Sequence, residues 1–223
     1  MFLTPLLKRI YHRVLPGPHF FLRRIKGLIH IGAHVGQETN RYAENDLNVL
    51  WVEPNPEIFP ILVENIKNHP RQRAVPALLT DVEGQSYPFH ISSNNGASSS
   101  ILGVGRHEEI WPEVSMTKTI TVESTTLASL VKRENLDMAN YDGLVIDTQG
   151  TELLVLKGGA ALLNRFKFIR AEAADFELYK DCCRLADLDS FLGEHGFRRI
   201  RTYPFAQKAG VGSCCDAVYS SIS

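Results

Sequence analysis

The chain has 223 residues, 44% of them hydrophobic and 22% charged, with a net charge of −1. That length suits one domain with a substantial core. No run of ~18 apolar residues marks a membrane span, and no basic start with an apolar core and small-residue cleavage site marks a secretory leader, so a cytoplasmic location is expected. Residues 1–27 carry six basic side chains and no acid, leaving an acidic body. Such a body argues against a nucleic-acid partner.

The first segment places Phe2, Leu3, Leu6, Leu7, Ile10, Tyr11 and Val14 near helical spacing among basic residues. It is expected to be a basic amphipathic extension, residues 1–27, packed across the edge of the sheet. Contact with a membrane surface or a partner protein is the alternative. Pro16-Gly-Pro18 ends its first helix. A single catalytic domain is expected over 28–223.

Residues 28–31 read as a buried strand, followed by Gly32 and Gly36, a helix over about 37–45 and a second strand over 49–52. Glycines at such a turn let backbone approach a ligand, and free N–H groups at the helix start face it. Glu53 lies 17 residues past Gly36, close to the offset at which an acid accepts the hydroxyls of an adenosine ribose. Asn55 and Pro56 suit the cap and first position of a helix with Ile58, Phe59, Leu62 and Ile66 on one stripe. Pro60 tightens or delays that helix.

Strands are expected over 73–79, 86–91 and 119–122, and a helix over 127–133. Residues 144–146 form a short apolar strand ending at Asp147, before a helix over 151–157. Ligands sit outside the carboxyl ends of strands in open α/β sheets, so Asp147, Gln149 and Glu152 are expected to face the same crevice as Gly32 and Glu53. The alternative is that Asp147 caps the helix and Glu152 complements its dipole. Residues 168–173 read as another strand with Glu172 near its end. Residues 185–195 read as a helix, and 197–203 with 216–220 as a closing hairpin.

The segments His30-Ile-Gly-Ala-His-Val-Gly-Gln37, Trp51-Val-Glu-Pro-Asn-Pro56, Ala97-Ser-Ser-Ser-Ile101, Ile146-Asp-Thr-Gln-Gly-Thr-Glu-Leu153 with Leu156-Lys-Gly158, and the Phe191-Leu…Gly196-Phe197 pair resemble the FkbM-type methyltransferases. The resemblance implies S-adenosylmethionine-dependent O-methylation of a hydroxyl on a sugar, glycan or natural product. It implies an α/β, Rossmann-like class I methyltransferase sheet with helices on both faces. Gly32, Ala33, Gly36 and Glu53 would then lie at the cofactor, with His30, His34, Gln37, Pro54 and Ser99 beside it, Asp81 near the adenine and Asp147 near the reacting centre. His30 stands where the family usually has Asp, His34 where it has Asn, and Gln149 where Glu is common. A neutral imidazole at position 30 can hydrogen-bond a cationic ligand but not offset its charge.

Asp147 and Glu172, at the ends of two core strands, are the first candidates for the base that takes the hydroxyl proton, or for ligands of a divalent cation such as Mg²⁺. His107 or His90 could serve as base instead. The insertion over 91–112 is the expected acceptor lid. There Asn94, Asn95, Ser98 and Trp111, with Gln149 and Glu152, offer the amides, hydroxyls and aromatic face that a sugar uses. Cys182-Cys183 and Cys214-Cys215 match no zinc spacing and are expected to be free thiols. Two rival readings are a nicotinamide-dependent oxidoreductase using the same Gly and Glu positions, and a catalytically silent scaffold recruited through its basic arm.

Overall fold

A computed structural model describes residues 17–222. The expected amphipathic helix over residues 2–14 lies outside the described residues. The part that follows, Phe20–Arg24, is a 3-10 turn with Phe21 and Leu22 buried. Phe21 stacks on Phe168 at 5.6 Å and the Arg24 guanidinium lies 4.9 Å from the same ring. This short piece therefore packs on the protein's own sheet.

Ten strands and six helices follow among the described residues. Strands β1 (Gly27–Ile31), β2 (Asn48–Val52), β3 (Gln72–Val75), β7 (Gly143–Ile146), β8 (Phe168–Ala174), β9 (Phe197–Lys208) and β10 (Gly212–Ser221) form a seven-stranded sheet of order β3-β2-β1-β7-β8-β10-β9. The pairs β1–β2, β2–β3, β1–β7 and β7–β8 are parallel, whereas β10 runs antiparallel to both β8 and β9. The order reverses between β1 and β7, so the crevice opens above the ends of those two strands. Strands β4 (Leu78–Leu79), β5 (Ser86–Ser92) and β6 (Met116–Thr125) form a second sheet, order β4-β6-β5.

The central strands are buried on both faces, which explains their continuous apolar runs. Ile29, Ile31, Leu144, Ile146 and Ile169 pack against α4 (Leu127–Arg133), α5 (Glu152–Gly158) and α6 (Leu185–Glu194). Leu28, Val49, Trp51, Val145 and Phe168 face the 3-10 turn, α1 (Thr39–Glu44) and α2 (Phe59–Ile66). Helix α4 spans the predicted residues. Its Thr126 side chain accepts from the Ser129 N–H, and Lys132 and Arg133 occupy its last turn.

Several expectations change in detail. The helix expected from residue 37 starts at Thr39, because Thr39 Oγ donates to the Gly36 carbonyl and the chain turns there first. Pro60 delays α2 to Phe59, where it sits in the first turn. Asn55 lies ahead of that boundary but makes the bonds of a cap: its Oδ1 accepts the Glu57 N–H and its carbonyl the Phe59 N–H. The expected strand over 73–79 splits into β3 and β4, in different sheets, because Pro76 has no N–H to continue the ladder. All four cysteines are free thiols, with burial raising each thiol's pKa. No described helix is long and apolar enough to cross a membrane.

Candidate active site

A cleft of about 370 Å³ opens at the carboxyl ends of β1, β2, β7 and β8. It has the size of a small-molecule or cofactor site. The loop after β1 forms one wall. Gly32 and Gly36 both have positive φ, +77° and +74°, a conformation that an L side chain rarely adopts. A Cβ on Gly32 would overlap the Asp147 carbonyl oxygen, and one on Gly36 would lie 2.8 Å from Leu62 Cδ1.

Glu53 closes the end of β2. One carboxylate oxygen accepts the His34 N–H at 2.7 Å and the other the Asn55 N–H at 2.8 Å. Burial nevertheless pushes this carboxyl up to about 7, with the two backbone donors pulling it down. Each oxygen keeps a further acceptor site, and a ribose diol would supply the missing donors. The chemistry of this group fits a nucleoside, and with the glycine loop beside it the cleft fits S-adenosylmethionine. His30, Gly32, Ala33, His34, Gln37, Glu53 and Pro54 all line the same wall, and Ser99 faces them from the insertion.

The two histidines are held in different ways. His34 Nε2 donates to the Asn95 carbonyl at 2.8 Å, which leaves Nδ1 to accept from Gln37 Nε2 at 2.8 Å. His30 is buried, stacked at 4.9 Å on Trp51, with Nδ1 3.1 Å from the Tyr42 hydroxyl. Burial, then the charge of Arg170, lowers its pKa well below the usual histidine range. His30 is therefore neutral at physiological pH. Arg170 is itself buried, 3.7 Å from Asp216, 3.9 Å from Glu38 and 3.3 Å from the His19 ring. Burial and Arg170 lower His19 to about 3, so the guanidinium faces a neutral imidazole.

The turn after β7 forms the floor. Asp147 and Glu172 both line the cleft. Gln149 Nε2 donates to Asp147 Oδ1 at 2.6 Å and Glu172 Oε1 at 3.2 Å. Burial pushes Asp147 up to about 7, against the pull of Gln149. Burial, then the negative charge of Asp147, holds Glu172 well above the usual carboxylate range. Where these two acids were offered as ligands of a cation, an amide N–H₂ group bridges them. Among the described residues no group of three His, Cys, Asp or Glu side chains could hold a metal.

The remaining wall comes from the insertion and from β9. Ser98, Ser99, His107 and Trp111 line the cleft, with Phe205 of β9. His107, in α3 (His107–Ile110), is buried, tilted against Trp111 at 4.7 Å and Tyr179 at 5.3 Å, with Nε2 3.3 Å from Ser98 Oγ. Burial lowers its pKa.

Six predicted site residues do not line the cleft; Gly36 turns the loop against Leu62 and Thr39 instead. Asp81 is exposed and outside the cleft; Ala77, Leu78, Leu79 and Phe89 line that end instead. Asn94 and Asn95 do not line the cleft. Asn94 holds its own turn, accepting from Ser92 Oγ at 2.6 Å and donating to Ser98 Oγ; Asn95 serves through its carbonyl. Glu152 is 2% exposed and lies beneath the turn, its carboxylate accepting the N–H groups of Thr148 and Gly150. His90 bonds Thr119 Oγ at 2.9 Å on β5, away from the cleft. Sequence reasoning missed Glu38, Tyr179 and Phe205. Glu38 adjoins Gln37 and could have been found; Tyr179 and Phe205 come from segments with no motif.

The chain is 27% identical over 161 residues to the 2-O-methyltransferase NoeI of Sinorhizobium fredii (strain NBRC 101917 / NGR234), a stretch covering 69% of this chain and 65% of NoeI. The match thus spans slightly less than two thirds of NoeI's length. Among solved structures, Streptococcus pneumoniae Sp1610, assigned as a tRNA (m1A22) methyltransferase, superposes with a TM-score of 0.50 at 12% identity, covering 93% of this chain and 71% of that one. A SAM-dependent methyltransferase of Aquifex aeolicus gives a TM-score of 0.48 at 11% identity, covering 97% and 98%. The likeness to Sp1610 concerns the Rossmann-like fold alone. Residues 30–199, well over half of the chain, match the Methyltransferase FkbM domain, and the chain belongs to the FkbM methyltransferase family.

Proposed function

We propose that this protein transfers a methyl group from S-adenosylmethionine to a hydroxyl oxygen of an uncharged sugar or related polyol. The observation that carries the reading is one cleft with two differently equipped ends. Glu53 and the glycine loop offer a nucleoside site, and the Asp147–Glu172 pair offers a proton acceptor. The relative NoeI is a 2-O-methyltransferase, which supports oxygen as the acceptor atom. Trp111 and Phe205 supply aromatic faces to the acceptor end, and no Lys or Arg lines the cleft among the described residues. Such a lining suits a neutral ring and disfavours an anionic one. The segment 91–112 acts as the acceptor lid.

The bound cofactor supplies an electrophilic methyl on a cationic sulfur. The chain's task is to hold the acceptor oxygen ~3 Å from that carbon, in line with the sulfur. A carboxylate oxygen of Asp147 or Glu172 would take the acceptor hydroxyl's proton as that oxygen accepts the methyl group. Neutral His30 leaves the acids as the charge that complements the cation.

Calorimetric titration with S-adenosylmethionine, S-adenosylhomocysteine and NAD tests the reading. Both sulfur nucleosides should bind, and Glu53→Ala should weaken them by roughly tenfold or more, as expected for removing a hydrogen-bonded charged partner. Because ribose donors favour the ionised carboxylate, affinity should also rise with pH through about 7. No binding, or a preference for NAD, would overturn it.

A further inference from the structure

Gln149 is a non-glycine residue with φ +55°, a conformation that costs energy and persists only where the surroundings impose it. Four hydrogen bonds hold it. Ser100 Oγ donates to the Gln149 backbone carbonyl at 2.8 Å. Its side-chain N–H₂ reaches Asp147 and Glu172, and its Oε1 accepts the Tyr179 hydroxyl at 2.8 Å. The amide orientation follows from this network, since a reversed amide would aim Oε1 at two carboxylates. Tyr179 is fully buried, and its single hydroxyl proton is shared with the Ser98 carbonyl at 3.2 Å. The lid backbone and the amide that holds the two acids thus meet at one phenol.

We propose that Gln149 is a positioning residue of this site, aligning Asp147 and Glu172 toward the cleft, and that Tyr179 makes that alignment depend on the lid at Ser98. The proposal rests on the methyl-transfer reading for its purpose, but its geometry can be tested without cofactor or acceptor. The surroundings explain why an amide is needed. Asp147 faces Glu152, Arg170 and Asp216, and Glu172 faces Asp147, Glu152 and Asp216. In register, Asp216 lies directly opposite Glu172 on the neighbouring strand. Two acids so placed repel each other unless a donor sits between them.

The test is ¹³C NMR of labelled side-chain carboxyls in the cofactor-free chain, with assignments from Asp147→Asn and Glu172→Gln. In Gln149→Met, similar in volume but without donors, the titrations assigned to Asp147 and Glu172 should both move up by about one pH unit, the scale of a hydrogen bond to a charged group. Tyr179→Phe, which removes only the hydroxyl, should move them in the same direction. It should also broaden or shift the Gln149 side-chain amide resonances and those of Ser98. A space-filling role would leave these signals in place. Unchanged midpoints in folded Gln149→Met would overturn the proposal. Should that variant fail to fold, unchanged amide and carboxyl signals in Tyr179→Phe would overturn it equally. Calorimetry with S-adenosylmethionine on the parent chain tests the underlying reading separately.

Discussion

Gly32 and Asp147 touch through backbone: a single Cβ on Gly32 would overlap the Asp147 carbonyl oxygen. The cofactor loop and the turn carrying the proposed base are therefore one packed unit, built where β1 and β7 lie side by side in parallel register. Any displacement of one is felt by the other, because close-packed backbone cannot yield as a flexible side chain can.

Gly32→Ala is therefore expected to damage both functions at once. It combines a positive φ with a backbone clash, and a cost of roughly 3 kcal/mol or more is expected from overpacking and strain together. Urea unfolding measures the loss, and calorimetry measures the accompanying loss of S-adenosylmethionine affinity. A variant of parental stability and affinity would show that the loop and turn move independently.

Glu152 has a structural task that its position at the start of α5 conceals. Its carboxylate accepts from the Thr148 and Gly150 N–H groups and from the Cys183 thiol. In Glu152→Gln one acceptor oxygen becomes an N–H₂ facing backbone donors. A loss of about 1–3 kcal/mol follows from leaving a buried donor unpaired. Equilibrium denaturation should find it, with a fall in methyl transfer once an acceptor is known. Unaltered stability would mean that the turn holds without this carboxylate.

The buried titratable groups give the cofactor-free protein a defined pH response. Burial raises Glu53 and Asp147 to about 7, from ordinary values of 4.5 and 3.8, and holds Glu172 well above its ordinary 4.5. Between those ordinary values and about 7 the folded state binds more protons than the unfolded one, so the stability these groups contribute is lost as pH rises from about 4 through about 7. His19, His30 and His107 are lowered from 6.5, so they add stability with rising pH only up to that value. Above it the carboxyls remain alone. Stability should fall by about 1–2 kcal/mol between pH ~6.5 and ~8.5, and Asp147→Asn should flatten the decline. Thermal melts across this range decide it; a rising or level profile for the parent would contradict the burial argument.

Much of this was legible in local pattern. The strand 28–31, the glycines after it, the strand 49–52 with Glu53 at its end and the helix over 127–133 stand as read, because apolar runs and helix caps act over a few residues. Asp81 was placed from its position after a strand, but Pro76 moves that segment into a second sheet. Asn94 and Asn95 looked like sugar-binding amides; the Asn94 amide instead bonds Ser92 and Ser98 within its own turn, and the Asn95 carbonyl accepts from His34.

The sequence by itself determined the order of strands and helices, the positive-φ glycine turn and the acids at strand ends. It did so because hydrophobic period and backbone sterics are properties of neighbours in the chain. Only the tertiary structure decided that β10 inserts antiparallel between β8 and β9, that Glu152 lies under the turn and that Tyr179 reaches Gln149 across 30 residues. Those outcomes depend on which long-range packing satisfies every buried polar group at once. That sum runs over distant parts of the chain and leaves no mark on any short stretch of it.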